Sequence, residues 1–266
     1  MRSRLERSEG RRVFGTDPEA YDAARPGHPQ AVYTILQERC GLRPGSKVLE
    51  IGPGTGQATQ RLLALGAHPL VAIEPDPRLA AFLRARLGRK VEIRETTLEE
   101  VELEDDFDLA VAASSFHWVE EKPGLARLNA ALRPGGAVAL WWTVFGDATR
   151  EDPFRTAVDP IMRDLPRSPS EADQGRPPFA SDGGTRVAAL EAAGFEETTA
   201  YRLEWTHTWD TAGIRALFGT FSPVLSLEPR PRVALLDEVA RIADADFGGR
   251  VTKPVVTALY TARKPS

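Results

Sequence analysis

The sequence predicts an α/β protein: a mostly parallel sheet with helices on both faces and an inserted helical lid. Three observations predict it. Short apolar runs alternate with helical runs between Lys47 and Trp142, the rhythm of crossover units that build a parallel sheet. Those runs are nearly unbroken Val, Leu, Ile and Ala, which fits strands covered on both faces, because a wet face would show alternating polar residues. The first run also breaks into GPGTG directly ahead of a helical stretch, a strand, glycine turn and helix in succession.

The elements follow in order. From Pro29 to Cys40, Val32, Ile35 and Leu36 recur at helical spacing, with Pro29 near the start and Gly41 placed as a stop. KVLEI, Lys47 to Ile51, is the first strand, and the helix after it carries Leu62, Leu63 and Leu65 before Gly66. LVAIE, Leu70 to Glu74, is the second strand. Asp76 follows as N-cap and Pro77 as first helical residue, with Leu79, Phe82, Leu83 and Leu87 along one face and Gly88 as the end. The third strand is VEIRE from Val91 and the fourth FDLAVAA from Phe107. A helix carrying Leu125, Leu128 and Leu132 leads to the fifth, AVALWW from Ala137.

After Phe145 the rhythm stops. Gly146 to Gly184 is dense in Pro, Gly, Ser and Asp, with one short helix around Phe154 to Leu165, and reads as an insertion or lid. A helix near Arg186 to Ala193, a strand-like stretch from Tyr201 to Trp209, helical runs near Ala212 to Phe218 and Val233 to Ala243, and a last strand from Val255 to Tyr260 complete the chain. The expected organisation is an arm, residues 1–28, followed by a single domain, 29–266, with lid insertions at about 146–182 and 211–249.

Bulk properties narrow the function. A chain of 266 residues with 42% hydrophobic and 27% charged residues is an ordinary globular protein. Its net charge of -4 lacks the basic footprint of a nucleic-acid binder. A lone cysteine, Cys40, excludes an intrachain disulfide and suits a reducing cytoplasm. Arg2, Arg4, Arg7, Arg11 and Arg12 have no apolar run behind them, so the start reads as a basic arm rather than a secretory signal. The most apolar stretch, Ala137 to Phe145, is about half of the ~20 residues a membrane span needs. Oligomeric state is not written in the sequence.

The sharpest signal is VLEIGPGTGQAT, Val48 to Thr59. Glu50 precedes Gly52, Gly54 and Gly56 where the strand turns into a helix, and bare backbone there lets a ligand lie close. A dinucleotide fingerprint spaces its glycines G-x-G-x-x-G around a pyrophosphate; here they run G-x-G-x-G, and a carboxylate at Glu50 suits the cationic amino acid end of S-adenosylmethionine better than a phosphate. Glu74, eighteen residues beyond Gly56 at the end of the second strand, is placed to accept hydrogen bonds from both ribose hydroxyls of an adenosine.

On these residues the chain resembles the class I S-adenosylmethionine-dependent methyltransferases from about Val48 to Trp142. FGTDPEAYDAARPGHP, Phe14 to Pro29, and SSFHW, Ser114 to Trp118, resemble the small-molecule branch that includes the trans-aconitate methyltransferases. The resemblance implies a Rossmann-like fold that binds S-adenosyl-L-methionine, releases S-adenosyl-L-homocysteine and uses no metal. It implies a pocket lined by Gly52, Gly54 and Gly56, with Glu74 on the ribose, Thr97 and Leu98 near the adenine, and Ser114 and Ser115 beside the methionine part. The family usually carries an Asp-containing motif where Thr97 and Leu98 stand. Tyr21 and Arg25 of the arm would fold over the cofactor, Arg25 pairing with its carboxylate.

His117, just beyond the fourth strand at the ligand edge of the sheet, is the one candidate base. Alignment at an activated sulfonium supplies most of the acceleration, so a base is optional. Trp118 and Trp142 are candidate pocket walls; Trp205 and Trp209 share that possibility with core packing. His28, His68 and His207 lack metal-ligand spacing and are read as structural or surface residues. The expected activity is methyl transfer to a small-molecule acceptor at oxygen, a carboxylate or a hydroxyl. An NAD-dependent oxidoreductase and a non-catalytic S-adenosylmethionine-binding module stand as alternatives.

Overall fold

A computed structural model of the chain describes residues 14–166 and 177–266. The arginines predicted to form a basic arm before residue 14, and the middle of the first lid insertion, lie outside the described residues. Seven strands form one sheet in the order β3-β2-β1-β4-β5-β7-β6: β1 Val48–Ile51, β2 Leu70–Ile73, β3 Glu92–Arg94, β4 Phe107–Ala113, β5 Leu132–Val144, β6 Glu196–Asp210 and β7 Arg250–Arg263. β1 to β5 are mutually parallel, and β7 runs antiparallel to both β5 and β6. The chain winds outward one way through β2 and β3 and the other way through β4 and β5, so the order reverses beside β1. A crevice opens outside the carboxyl ends of the strands at such a reversal.

The helices are α1 Pro18–Ala24, α2 Gln30–Cys40, α3 Gln57–Ala64, α4 Pro77–Leu87, α5 Glu121–Ala131, α6 Pro153–Met162, α7 Gly183–Ala192, α8 Thr211–Gly219, α9 Ser222–Leu225 and α10 Pro229–Phe247. One face of the sheet buries Val48 and Leu70 against Leu36 of α2, Leu62 of α3 and Leu83 of α4. The other buries Leu49 and Ile73 with Leu125 and Leu128 of α5 and Leu190 of α7. Each of these leucines contributes about 1.5–3 kcal/mol by leaving water. Asp76 caps α4 by accepting the Arg78 N–H at 2.9 Å, with Pro77 first in the helix, as its sequence predicts.

Three boundaries differ from expectation. Leu132, assigned by its spacing to the preceding helix, begins β5 and pairs with Phe107. β6 and β7 are longer than Tyr201–Trp209 and Val255–Tyr260: β6 is an edge strand that alternates exposed and half-buried residues, so its polar start reads as loop, and β7, buried between β5 and β6, extends to pair along it. The two lid segments also share a core of their own. Phe154 and Val158 of α6 pack with Ile214, Leu217 and Phe218 of α8, Val239 of α10, and Trp209 and Val251 from the projecting ends of β6 and β7.

Candidate functional site

Beyond Ile51 the backbone turns through left-handed conformations at Gly52 (φ +62°), Gly54 (φ +60°) and Gly56 (φ +86°). The three glycines answer different demands. A Cβ on Gly52 would stand 2.6 Å from Cβ of Ser115, and one on Gly56 would stand 2.7 Å from a methyl of Leu83 in α4, whereas at Gly54 nothing lies within 4 Å. Gly52 therefore admits the loop after β4, Gly56 admits a helix, and Gly54 leaves open space. The Gly54 N–H donates to Glu74 Oε2 at 3.1 Å and the Asp76 N–H to Glu74 Oε1 at 3.0 Å. Two backbone bonds thus hold a carboxylate that is 4% exposed at the end of β2.

Above these strand ends lies a cavity of about 830 Å³. Gly52 and Gly54 line it from β1, Glu74 from β2, Thr97 and Leu98 from the segment after β3, and Ser114, Ser115, His117 and Trp118 from the loop after β4. Trp142 closes the β5 side, and Tyr21 and Arg25 reach in from α1 and the residue after it. A single space therefore gathers nearly every residue singled out from the sequence.

Glu50 and Gly56 are the corrections. Neither lines the cavity. Glu50 sits in the central strand between Ala72 and Val111, fully buried, and neither carboxylate oxygen has a hydrogen-bond partner among the described residues. Alternation along β1 turns it away from Leu49 and Ile51 towards the α3 face, and its carboxylate does not border the cavity where a ligand's cationic end was expected. Burial raises its pKa to about 7, the Thr59 side chain pulling the other way and the Glu74 charge adding to the rise. An acid whose pKa rises on folding binds protons more tightly in the native state, so its contribution to stability falls as pH climbs from about 4.5 to 7. Glu50→Gln is expected to raise the thermal midpoint relative to the parent at pH 8 and to leave it nearly unchanged at pH 4.5, measured by scanning calorimetry at both values. Equal differences at the two pH values would show that the buried acid is not the cause.

The arm is fastened on two sides. Thr55 Oγ1 donates to Asp22 Oδ1 at 2.8 Å, and Gln57 Nε2 donates to the carbonyls of Asp22 and Arg25, both at 3.1 Å. On the other side Arg25 Nε donates to Thr220 Oγ1 at 3.0 Å, next to α8. The Arg25 guanidinium lies 4.6 Å from the Tyr21 ring centroid and 5.3 Å from that of Phe145, and it meets no carboxylate among the described residues.

The loop after β4 is held tightly. Ser114, with φ +56°, donates its N–H to the Trp141 carbonyl at 2.7 Å, and its Oγ accepts from the Thr143 N–H at 3.3 Å. Ser115 Oγ donates to the Ile51 carbonyl, tying this loop to the glycine turn. Trp142 Nε1 donates to His117 Nδ1 at 3.0 Å. That bond takes up the Nδ1 lone pair, so the neutral ring carries its proton on Nε2 and acts there as a donor, the opposite of what a base requires. Trp118 and Trp142 are 8% and 3% exposed, so each is both core and wall.

Sequence reasoning missed His28, which lines the cavity rather than the surface, as well as Phe145, Arg155, Asp159 and Lys253. His28 lies inside the arm motif Phe14 to Pro29, two residues beyond Arg25-Pro26, a position that could have marked it. Phe145 directly follows β5, Arg155 and Asp159 sit on a lid segment and Lys253 near the start of β7, and none of the four carries a motif. Burial, with Arg25 nearby, depresses the His28 pKa to about 4, so the ring is neutral at pH 7. Among the described residues no cluster of His, Cys, Asp and Glu is arranged to hold a metal ion, and no helix is long and apolar enough to cross a membrane.

Residues 48–136 match a family model described as a methyltransferase domain. An uncharacterized methyltransferase of Mycobacterium bovis is 35% identical over 130 residues, 48% of this chain and 51% of that protein, so the chain matches about half the length of this relative. An uncharacterized methyltransferase of Schizosaccharomyces pombe is 24% identical over 259 residues, 95% of this chain and 97% of that one. Among solved structures, a candidate type II methyltransferase from Anaeromyxobacter dehalogenans superposes with TM-score 0.64 at 23% identity, covering 91% of this chain and 99% of its own. Phosphoethanolamine N-methyltransferase 2 of Haemonchus contortus, solved with phosphomonomethylethanolamine and S-adenosylhomocysteine, gives TM-score 0.57 at 15% identity over 95% of this chain and 58% of its own. The [4+2]-cyclase SpnF gives TM-score 0.56 at 19% identity over 100% and 98%.

Proposed function

We propose that this chain, which carries a class I, Rossmann-like methyltransferase domain, binds S-adenosylmethionine across the turn after β1 and passes its methyl group to a small-molecule acceptor enclosed by the lid segments. The observation that carries this reading is Glu74, a carboxylate fastened by the Gly54 and Asp76 N–H groups at the end of β2 and facing the cavity next to the one glycine of the turn with open space around it. A carboxylate so oriented is pre-set for a vicinal diol, and a bare backbone beside it admits the rest of a nucleoside. The nematode enzyme that shares the fold was solved with the demethylated cofactor.

When bound, the cofactor supplies a methyl group already activated on a sulfonium. In this reading Glu74 accepts from the ribose hydroxyls, Thr97 and Leu98 border the adenine, and Ser114 and Ser115 border the methionine part. Arg25, which meets no carboxylate among the described residues, pairs with that of the cofactor. The arm and the segments around α6, α8 and α9 act as a lid that excludes water, and alignment of acceptor with methyl supplies the larger part of the acceleration, up to roughly 7–11 kcal/mol. Oxygen, in a carboxylate or a hydroxyl, is the proposed acceptor atom. His117, a donor at Nε2, orients a ligand rather than removing its proton.

Because a cyclase shares this fold from end to end, architecture by itself does not fix the reaction. The test has two stages. Titration calorimetry is expected to show S-adenosylmethionine and S-adenosylhomocysteine binding while NAD and NADH do not. Release of S-adenosylhomocysteine is then followed across a panel of carboxylic acids and phenols. A folded protein giving no heat with either S-adenosyl compound refutes the cofactor assignment; binding with no turnover across the panel favours the non-catalytic module.

A further inference from the structure

His28 enters the cavity between α1 and α2, and a chain of hydroxyls meets one of its ring nitrogens. Trp205 Nε1, which can only donate, gives its hydrogen to Thr257 Oγ1 at 3.1 Å. Thr257 Oγ1 lies 3.5 Å from Thr143 Oγ1, and Thr143 Oγ1 lies 3.3 Å from His28 Nδ1. Each hydroxyl has one hydrogen to give. Thr257, fully buried and already receiving from Trp205, donates on to Thr143. Thr143, receiving from Thr257, then donates to His28 Nδ1. The other direction, with His28 Nδ1 donating, turns the Thr143 hydroxyl hydrogen out of this chain and into the cavity that Thr143 lines. The direction that keeps every hydroxyl hydrogen within the chain puts the proton of a neutral His28 on Nε2.

That nitrogen has no partner among the described residues and is not among the buried polar atoms sealed from solvent, so it opens onto the cavity the ring lines. The Trp141 ring meets the imidazole edge-on with centroids 5.6 Å apart and holds its plane. Thr143 also gives its N–H to Ser114 Oγ, which places His28 at the end of the cavity assigned above to the methionine part, where a methyl acceptor has to stand. Trp142, Phe145 and Phe221 supply aromatic wall to the same cavity.

We infer that His28 is the acceptor anchor: its Nε2–H donates a hydrogen bond to the oxygen of a flat aryl compound, a phenol or an aryl carboxylate, held against these aromatic walls. The inference rests on the proposed function for the identity of the neighbouring methyl donor, and it goes further in naming the acceptor class and the group that selects it. Burial and Arg25 keep the ring uncharged at neutral pH, so it acts by hydrogen bonding rather than by charge.

The test uses the full-length protein, labelled with ¹⁵N and with the His28 signals assigned by difference from H28Q. Phenol and benzoate are titrated separately into protein with and without S-adenosylhomocysteine. The proton is expected on Nε2, and at least one of the two probes is expected to shift that resonance. H28A is expected to bind the same probe at least about tenfold more weakly, with part of the loss restored in H28Q through its amide N–H. Calorimetric affinity for S-adenosylhomocysteine should stay at the wild-type value in both variants, which also reports that they fold. A response to phenol alone assigns an aryl hydroxyl, and to benzoate alone an aryl carboxylate. A proton on Nδ1, a His28 signal unmoved by both probes, or undiminished probe binding by H28A overturns the anchor. Wild-type protein that ignores S-adenosylhomocysteine overturns the cofactor reading instead, and the titration without it still decides the role of His28.

Discussion

Lys253→Ala is expected to lower the unfolding free energy by about 3–5 kcal/mol, the cost of leaving a buried charge without its partner. Lys253 Nζ lies 2.5 Å from Asp152 Oδ2, and the two side chains are 2% and 4% exposed. Burial lowers the lysine pKa against the pull of Asp152. Asp152 also caps α6, its Oδ1 accepting the Arg155 N–H at 2.9 Å. The variant therefore strands a carboxylate at the start of the helix that walls one side of the cavity. Urea denaturation should show a clearly lower midpoint. The double variant Lys253→Met with Asp152→Asn should recover most of the loss, since the charge is gone and asparagine still caps a helix. A midpoint for Lys253→Ala within error of the parent would mean that the pair does not brace α6.

Glu74→Ala is expected to weaken S-adenosylhomocysteine binding by about 3 kcal/mol or more, roughly a hundredfold in Kd, because two charge-assisted hydrogen bonds of about 1.5–3 kcal/mol each are removed. Glu74→Gln should fare little better. Its carboxamide would set an NH2 group against either the Gly54 or the Asp76 N–H, donor facing donor, and so lose the orientation that those two bonds impose. In Glu74→Ala the Gly54 N–H stands at the cavity and can turn to water, whereas the buried Asp76 N–H loses its acceptor, so fold stability should fall by about 1–3 kcal/mol as well. Calorimetry on the two variants reads the loss directly, and unchanged affinity in Glu74→Ala would remove the ribose contact from the proposed function.

How much of this was legible in the sequence is seen best at β1. Gly52, Gly54 and Gly56 announced a turn that side chains would obstruct, and all three adopt left-handed backbone. Glu50, in the same motif, was misplaced. Its spacing from Gly52 suited a ligand contact, but the two-residue period of a strand decides which face a side chain takes, and in a strand covered on both faces no polar alternation reveals that choice. Asp76 and Pro77 marked a helix start correctly because capping is a local competition for backbone N–H groups.

What the sequence determined alone, then, is what acts over a few residues: the strand and helix rhythm, the glycine turn, the acid at the end of β2 and the helix caps. Tertiary structure decided what depends on partners distant in the chain. His28 Nδ1 meets a hydroxyl chain of Thr143 and Thr257 that ends on Trp205, three residues on three different strands. Lys253 and Asp152 meet across 101 positions, and the lid segments hold together through a core that none of them could form singly. The physical reason is common to all three: hydrogen-bond direction, ion pairing and apolar burial depend on separation in space, and only the closed fold sets that separation.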